Sequence, residues 1–131
     1  MKVAPEHTSD KVLESVRKPS FDLFKILKNK FDKINKDENL NQQIMPYFIS
    51  CLPYCTLTDM KKLASETKKL NIRPEQIQAF TPTPMTLAST IYYSGINPYT
   101  GEKVFTAKTA AERKQQNEQF FWYKQIIRKN K

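Results

Sequence analysis

The chain reads as an α/β fold built on three parallel strands, and three observations predict it. Apolar stretches at 1–7, 44–50 and 77–80 are separated by helical patterns. That alternation is the signature of parallel strands joined by right-handed crossover helices. The middle stretch, Ile44-Met45-Pro46-Tyr47-Phe48-Ile49-Ser50, is an almost unbroken apolar run, as expected of a central strand covered on both faces. Between the first two stretches, Phe21, Phe24, Leu27, Phe31 and Ile34 recur at spacings of three and four, the core-facing stripe of an amphipathic helix.

Taken in order, Met1 to His7 forms the first strand and stops at a loop. Thr8, Ser9 and Asp10 offer N-cap side chains to a helix through Val12, Leu13 and Val16. Arg17 and Lys18 suit its end, where cations meet the negative dipole, and Pro19 stops it. Ser20 caps the second helix, which runs out at Asp37, Glu38 and Asn39. Pro46 suits the start of the second strand. Thr56 and Asp59 form a Thr-x-x-Asp variant of the capping box, opening a helix that carries Leu57, Met60, Leu63, Ala64 and Leu70. Arg73-Pro74 breaks the chain before the third strand, Ile77 to Phe80. The first and third strands are then sheet edges, which invite pairing.

Beyond Thr81 the character changes. Pro82 and Pro84 stiffen a loop, and Met85 to Tyr93 has room for about two helical turns. Gly95 fits the left-handed position after a helix end. Thr109 and Glu112 form a capping box for a last helix. Its apolar side carries Phe120, Phe121, Tyr123, Ile126 and Ile127, and Arg113, Lys114, Lys124, Arg128 and Lys129 surround them. Residues 1–81 are thus a strand-and-helix unit, and 82–131 a helical C-terminal extension with a basic helix.

Composition narrows the function. A length of 131 residues suits one domain with an appendage. Hydrophobic residues at 39% and aromatics at 11% supply a core, which argues against wholesale disorder. Two glycines leave no Gly-rich phosphate loop. No apolar run approaches the ~20 residues of a bilayer span, and no signal peptide opens the chain, so a cytoplasmic protein with no membrane partner is expected. The net charge of +9 favours acidic partners, although a solvated Lys-rich surface is the simpler account. His7, Ser9 and Asp10 are triad residue types in one short run, but such clusters are ordinarily helix starts. One histidine and two cysteines do not supply an ordinary zinc site.

The stretch from Gln78 to Phe105, QAFTPTPMTLASTIYYSGINPYTGEKVF, resembles the end of the YgiQ-type radical S-adenosylmethionine (SAM) proteins. The order PTPMT, YYSG, NPYTG carries the resemblance. It extends to Lys2 to Leu13, similar to the family's fifth barrel strand and following helix. It extends also to Tyr47 to Thr56, similar to the sixth strand and a loop that usually ends His-Pro-Gly-Cys-Thr. The resemblance implies a partial, half TIM-like radical SAM barrel with three parallel strands and crossover helices, with strands one to four and the cluster loop outside it.

Radical SAM proteins hold a 4Fe-4S cluster on a C-x3-C-x2-C motif and place SAM on the open iron. Cys51 and Cys55 reproduce the first spacing, but the third position is Thr58 and no third cysteine exists. Two structural thiols in a reducing cytosol is the reading that follows, with no metal and no cofactor held by this chain itself. The superfamily's fifth strand often ends in a Gly-Ile-Glu-Ser type motif lining the SAM site, and Glu6 falls on its acidic position. The resemblance therefore points to Glu6, His7, Ser50 and Thr81 as cofactor-binding candidates at strand ends, with Cys51 on the same edge. Leu52 stands where the family has His. Tyr54 stands where it has Gly, and a tyrosine is ill suited to a left-handed turn.

The reading is a C-terminal fragment of a radical SAM iron–sulfur protein of unknown substrate, catalytically inactive alone. Its expected partner is the missing N-terminal half, or another copy of itself. The alternative is a basic module contacting nucleic acid, or another protein, through the C-terminal helix.

Overall fold

The computed structural model describes residues 1–74 and 77–122. Along the chain run β1 (Lys2–Glu6), α1 (Asp10–Ser15), α2 (Phe21–Asp37), β2 (Met45–Ser50), α3 (Leu57–Lys69), β3 (Ile77–Ala79), α4 (Leu87–Ser94) and α5 (Ala110–Phe120). The sheet order is β1-β2-β3, and both pairings are parallel. Lys2 lies opposite Met45, and Ser50 opposite Ala79. The fold is α/β with a parallel sheet, and the apolar run at 44–50 is its central strand.

Two details differ from the sequence expectation. Along β2 only Pro46, Phe48 and Ser50 are buried, while Tyr47 and Ile49 are half-buried. One face of the strand is therefore sealed and the other is not. The α2 stripe also reaches the core only at its start. Phe21 and Phe24 are buried and stacked with ring centroids 5.2 Å apart, but Leu27 is 40% exposed and Ile34 56%. The cause is length. The 17 residues of α2 extend about 25 Å, whereas the five residues of β1 extend about 16 Å, so the helix outruns the sheet.

The ends of the elements follow local chemistry. The Ser20 hydroxyl accepts the Asp22 N–H, and Thr56–Asp59 and Thr109–Glu112 both close complete capping boxes. Ser9 occupies the N-cap of α1 without a side-chain cap bond. Thr86 caps α4, and Gly95 ends it with φ 69°, where an L side chain would be strained. From Gly95 the chain makes a tight reversal, with Ile96 bridging Lys103 in antiparallel fashion. The chain then enters α5, which returns onto α3, β3 and β2. Phe48 at the centre meets Phe21 at 6.4 Å and Phe120 of α5 at 6.2 Å. Among the described residues no helix is long and apolar enough to cross a membrane.

Candidate functional site at the carboxyl edge of the sheet

Because the strands are parallel, β1, β2 and β3 all end on one edge. The backbone turns sharply there: Glu6 has φ 62° and Cys51 φ 63°. Neither is glycine, so each left-handed residue costs about 1–2 kcal/mol that its surroundings must offset. The Glu6 carboxylate lies 2.9 Å from the Lys18 ammonium.

His7 turns inward and is 0% exposed. Its Nδ1 accepts the Ser9 N–H at 3.0 Å, so the neutral ring carries its proton on Nε2, which faces the Cys55 Sγ at 3.4 Å. Burial pulls the His7 pKa down to about 4, against the opposing pull of the Asp59 charge. The Cys55 thiol donates in turn to the Gln116 Oε1 at 3.3 Å. Burial pushes both thiols above their ordinary range, Cys55 far above it. A thiol held protonated in this way is a poor nucleophile and a poor metal ligand.

Helix α5 closes this edge. Gln116 is buried, and its Oε1 also accepts the Cys51 N–H at 2.8 Å while its Nε2 donates to the Cys55 carbonyl at 2.7 Å. The Ser50 hydroxyl donates to the Asn117 Oδ1, and the Cys51 thiol donates to the Ser50 Oγ at 3.5 Å. One turn earlier, Arg113 donates to the Tyr92 hydroxyl at 3.0 Å and the Phe80 carbonyl at 3.4 Å. Residues 113, 116, 117 and 120 thus form one helix face laid over the ends of β2 and β3.

The loop after β2 is pinned from the other side. Tyr54 does adopt the left-handed conformation, with φ 68°, contrary to the expectation from its side chain. Its hydroxyl accepts from Asn97 Nδ2 at 2.9 Å and donates to Glu102 at 3.3 Å, and its N–H reaches the Phe105 carbonyl at 3.0 Å. The Lys11 ammonium sits 4.8 Å from its ring centre and 2.8 Å from Glu102. These contacts stabilise a turn that a glycine would make without them.

The chain is similar in sequence to known proteins over nearly all of its length. A UPF0313 protein of Bacteroides thetaiotaomicron is 57% identical over 130 residues, which is 99% of this chain and 21% of the relative. A UPF0313 protein of Porphyromonas gingivalis is 53% identical over 124 residues, 95% of this chain and 20% of its own length. One from Methanocella arvoryzae is 45% identical over 114 residues, 87% and 19% respectively. The chain belongs to the UPF0313 family. UPF0313 is the YgiQ-type family, so the resemblance carried by the Gln78 to Phe105 stretch holds. Residues 75–125 also match a family described as a domain of unknown function, DUF3362. The chain spans about a fifth of the length of these curated relatives, as a C-terminal fragment of such proteins. No solved structure matches it.

In this UPF0313 chain the four candidate residues stand at the same edge but in different settings. His7 and Ser50 are sealed and bonded to protein groups, Glu6 is half-buried on Lys18, and Thr81 is exposed with its hydroxyl on the Ala79 carbonyl at 3.4 Å. Among the described residues no three His, Cys, Asp or Glu side chains come together in a metal-holding group. Lys124, Arg128 and Lys129, named for nucleic-acid contact, lie outside the described residues. The aromatics before them face the protein: Phe120 is buried, and the Trp122 Nε1 donates to Thr67 Oγ1 at 3.3 Å beneath the Lys68 ammonium. Arg113, Gln116 and Asn117 escape a reading based on apolar stripes, because the α5 face that enters the site is polar. Counting helical phase from the Thr109 cap would have placed them on the same side as Phe120.

Proposed function

We propose that this chain is the C-terminal part of a radical SAM iron–sulfur protein, contributing strands of a half TIM-like barrel and the extension that roofs them. The observation that carries the reading is Gln116 of the extension closing onto Cys51 and Cys55 at the carboxyl edge, where parallel α/β folds collect their ligands. Family membership and the strand-end positions of Glu6, His7, Ser50 and Thr81 support it. Glu6 and Thr81 are the pair reachable by a cofactor, and His7 and Ser50 hold the strand ends in shape. In the longer protein a 4Fe-4S cluster, on cysteines this chain does not contain, and SAM would supply radical chemistry. The 131 residues alone are catalytically inert. Two free thiols suit a reducing cytoplasm.

The partner reading follows from the open side. Leu23, Ile26, Leu27 and Ile34 of α2 are exposed, and a groove of about 190 Å³ lies between Leu23 and Leu27 of α2 and Val3 and Pro5 of β1. The remainder of the longer protein covers this side, and a second copy covers it when the chain is alone.

The test compares the Bacteroides thetaiotaomicron relative with this chain in anaerobic iron–sulfide reconstitution. The relative is expected to show a 4Fe-4S spectrum that changes when SAM is added, and this chain none. A relative that takes up no cluster would sink the proposal. So would a cluster on this chain that disappears in Cys51→Ser or Cys55→Ser.

A further inference from the structure

A second groove, of about 570 Å³, lies between the end of α1, residues 83–90 and the Pro98-Tyr99 turn. Its size is that of a small-molecule site. Its walls come from the segments that follow β1 and β3, and Gln116 is not among them.

Two lining residues are left-handed without being glycine. Arg17 follows α1 in a Schellman arrangement, with its own N–H on the Glu14 carbonyl at 3.0 Å and the Lys18 N–H on the Leu13 carbonyl at 3.0 Å. This is the position where helices prefer glycine, yet it holds an arginine at φ 55°. Met85 is also left-handed, at φ 64°, and is 104% exposed, so its side chain gains no burial in return for the strain. Arg17 shares its helix-ending arrangement with Asn39 and Asn71, so the unexplained strain is that of Met85, and non-glycine residues held in sparse backbone regions gather at ligand-binding sites. Arg17 and Met85 line one groove.

The chemistry of the lining indicates the ligand class. The Arg17 guanidinium is tethered by one Nη2 bond to the Tyr99 hydroxyl at 3.3 Å. Among the described residues no carboxylate lines the groove; Thr83, Thr86 and Thr90 are on its wall, with the Thr86 hydroxyl bonded to the Thr83 carbonyl and Ser89 Oγ and that of Thr90 to the Thr86 carbonyl. Met85, Leu87 and Tyr99 provide apolar and planar surface. A guanidinium fork matches a carboxylate or a phosphate. We propose that this groove binds a small organic anion, its acidic group on Arg17 and its apolar body against Met85 and Leu87. The proposal concerns this chain's own residues and does not rest on the radical SAM reading.

The experiment titrates phenyl phosphate and benzoate into the chain, with phenol as the neutral counterpart, and follows amide resonances by NMR. At least one of the anions is expected to shift Arg17, Thr83, Met85 and Tyr99 saturably, and phenol is not. Arg17→Gly, which relieves the left-handed backbone, should melt no lower than the parent and bind the anion about tenfold more weakly or worse. Arg17→Gln removes the charge at constant length and should lose binding equally, which keeps the test intact if the glycine variant misfolds. The proposal fails if neither anion shifts these resonances, if phenol binds as well, or if binding survives in Arg17→Gln.

Discussion

At the scale of the residue, His7 links burial to pH. It is the one histidine of the chain, so no other imidazole titrates beside it. Burial lowers its pKa from 6.5 to about 4 in the folded state. Between those values the unfolded chain binds more protons than the folded one, so stability falls as pH falls through that window. Below pH 4 the group contributes no further loss. The shift corresponds to a loss on the order of 3 kcal/mol. Urea unfolding at pH 7 and pH 4.5 checks this: the parent should weaken strongly, and His7→Gln should remove most of the difference. An equal pH dependence in both proteins would show that another group is responsible. The sequence offered His7 as a helix-start residue and, by resemblance, as a cofactor contact. Its bond to Cys55 was not legible, because the two lie 48 positions apart and only the fold of β1 beside β2 brings them together.

At the scale of the element, α5 is held by polar groups as much as by Phe120. Gln116 satisfies a buried N–H and a buried carbonyl of the β2–α3 loop, and losing it leaves both unpaired. Gln116→Ala is therefore expected to destabilise the chain by about 2–4 kcal/mol. The exposed neighbour Gln115→Ala should stay within about 0.5 kcal/mol. Similar unfolding midpoints for the two variants would mean that α5 is docked by Phe120 alone. Strands, caps and the αL end at Gly95 were readable because each is written in local chemistry: a Thr with an acid three residues on, a glycine after an apolar turn, an apolar run ending in a loop. The overhang of α2 was not, since its stripe continues past the point where the sheet stops. Nor was the left-handed Tyr54, whose turn is stabilised by Asn97 and Glu102, more than forty positions away.

At the scale of the whole molecule, the open α2 and β1 side predicts weak self-association. Burying Leu23 and Leu27 against a second copy contributes roughly 1.5–3 kcal/mol for each side chain fully covered. The net charge of +9 opposes the approach of two copies, and salt screens that repulsion. Light scattering should show a mass that rises with protein concentration, and more so at higher ionic strength. Leu23→Glu with Leu27→Glu should hold the chain monomeric. A parent that is monomeric throughout, or a double variant that still associates, would exclude this face as the contact. The roof at the carboxyl edge has a consequence of another kind, in the order of synthesis. Gln116, Asn117 and Phe120 leave the ribosome well after Cys51 and Cys55, and domains form from the N-terminal side as they emerge. While the chain is being made, the end of β2 faces water with its amide and carbonyl groups still waiting for partners. Anything that must reach Cys51 and Cys55 meets an open door during translation and a closed one once the extension has followed.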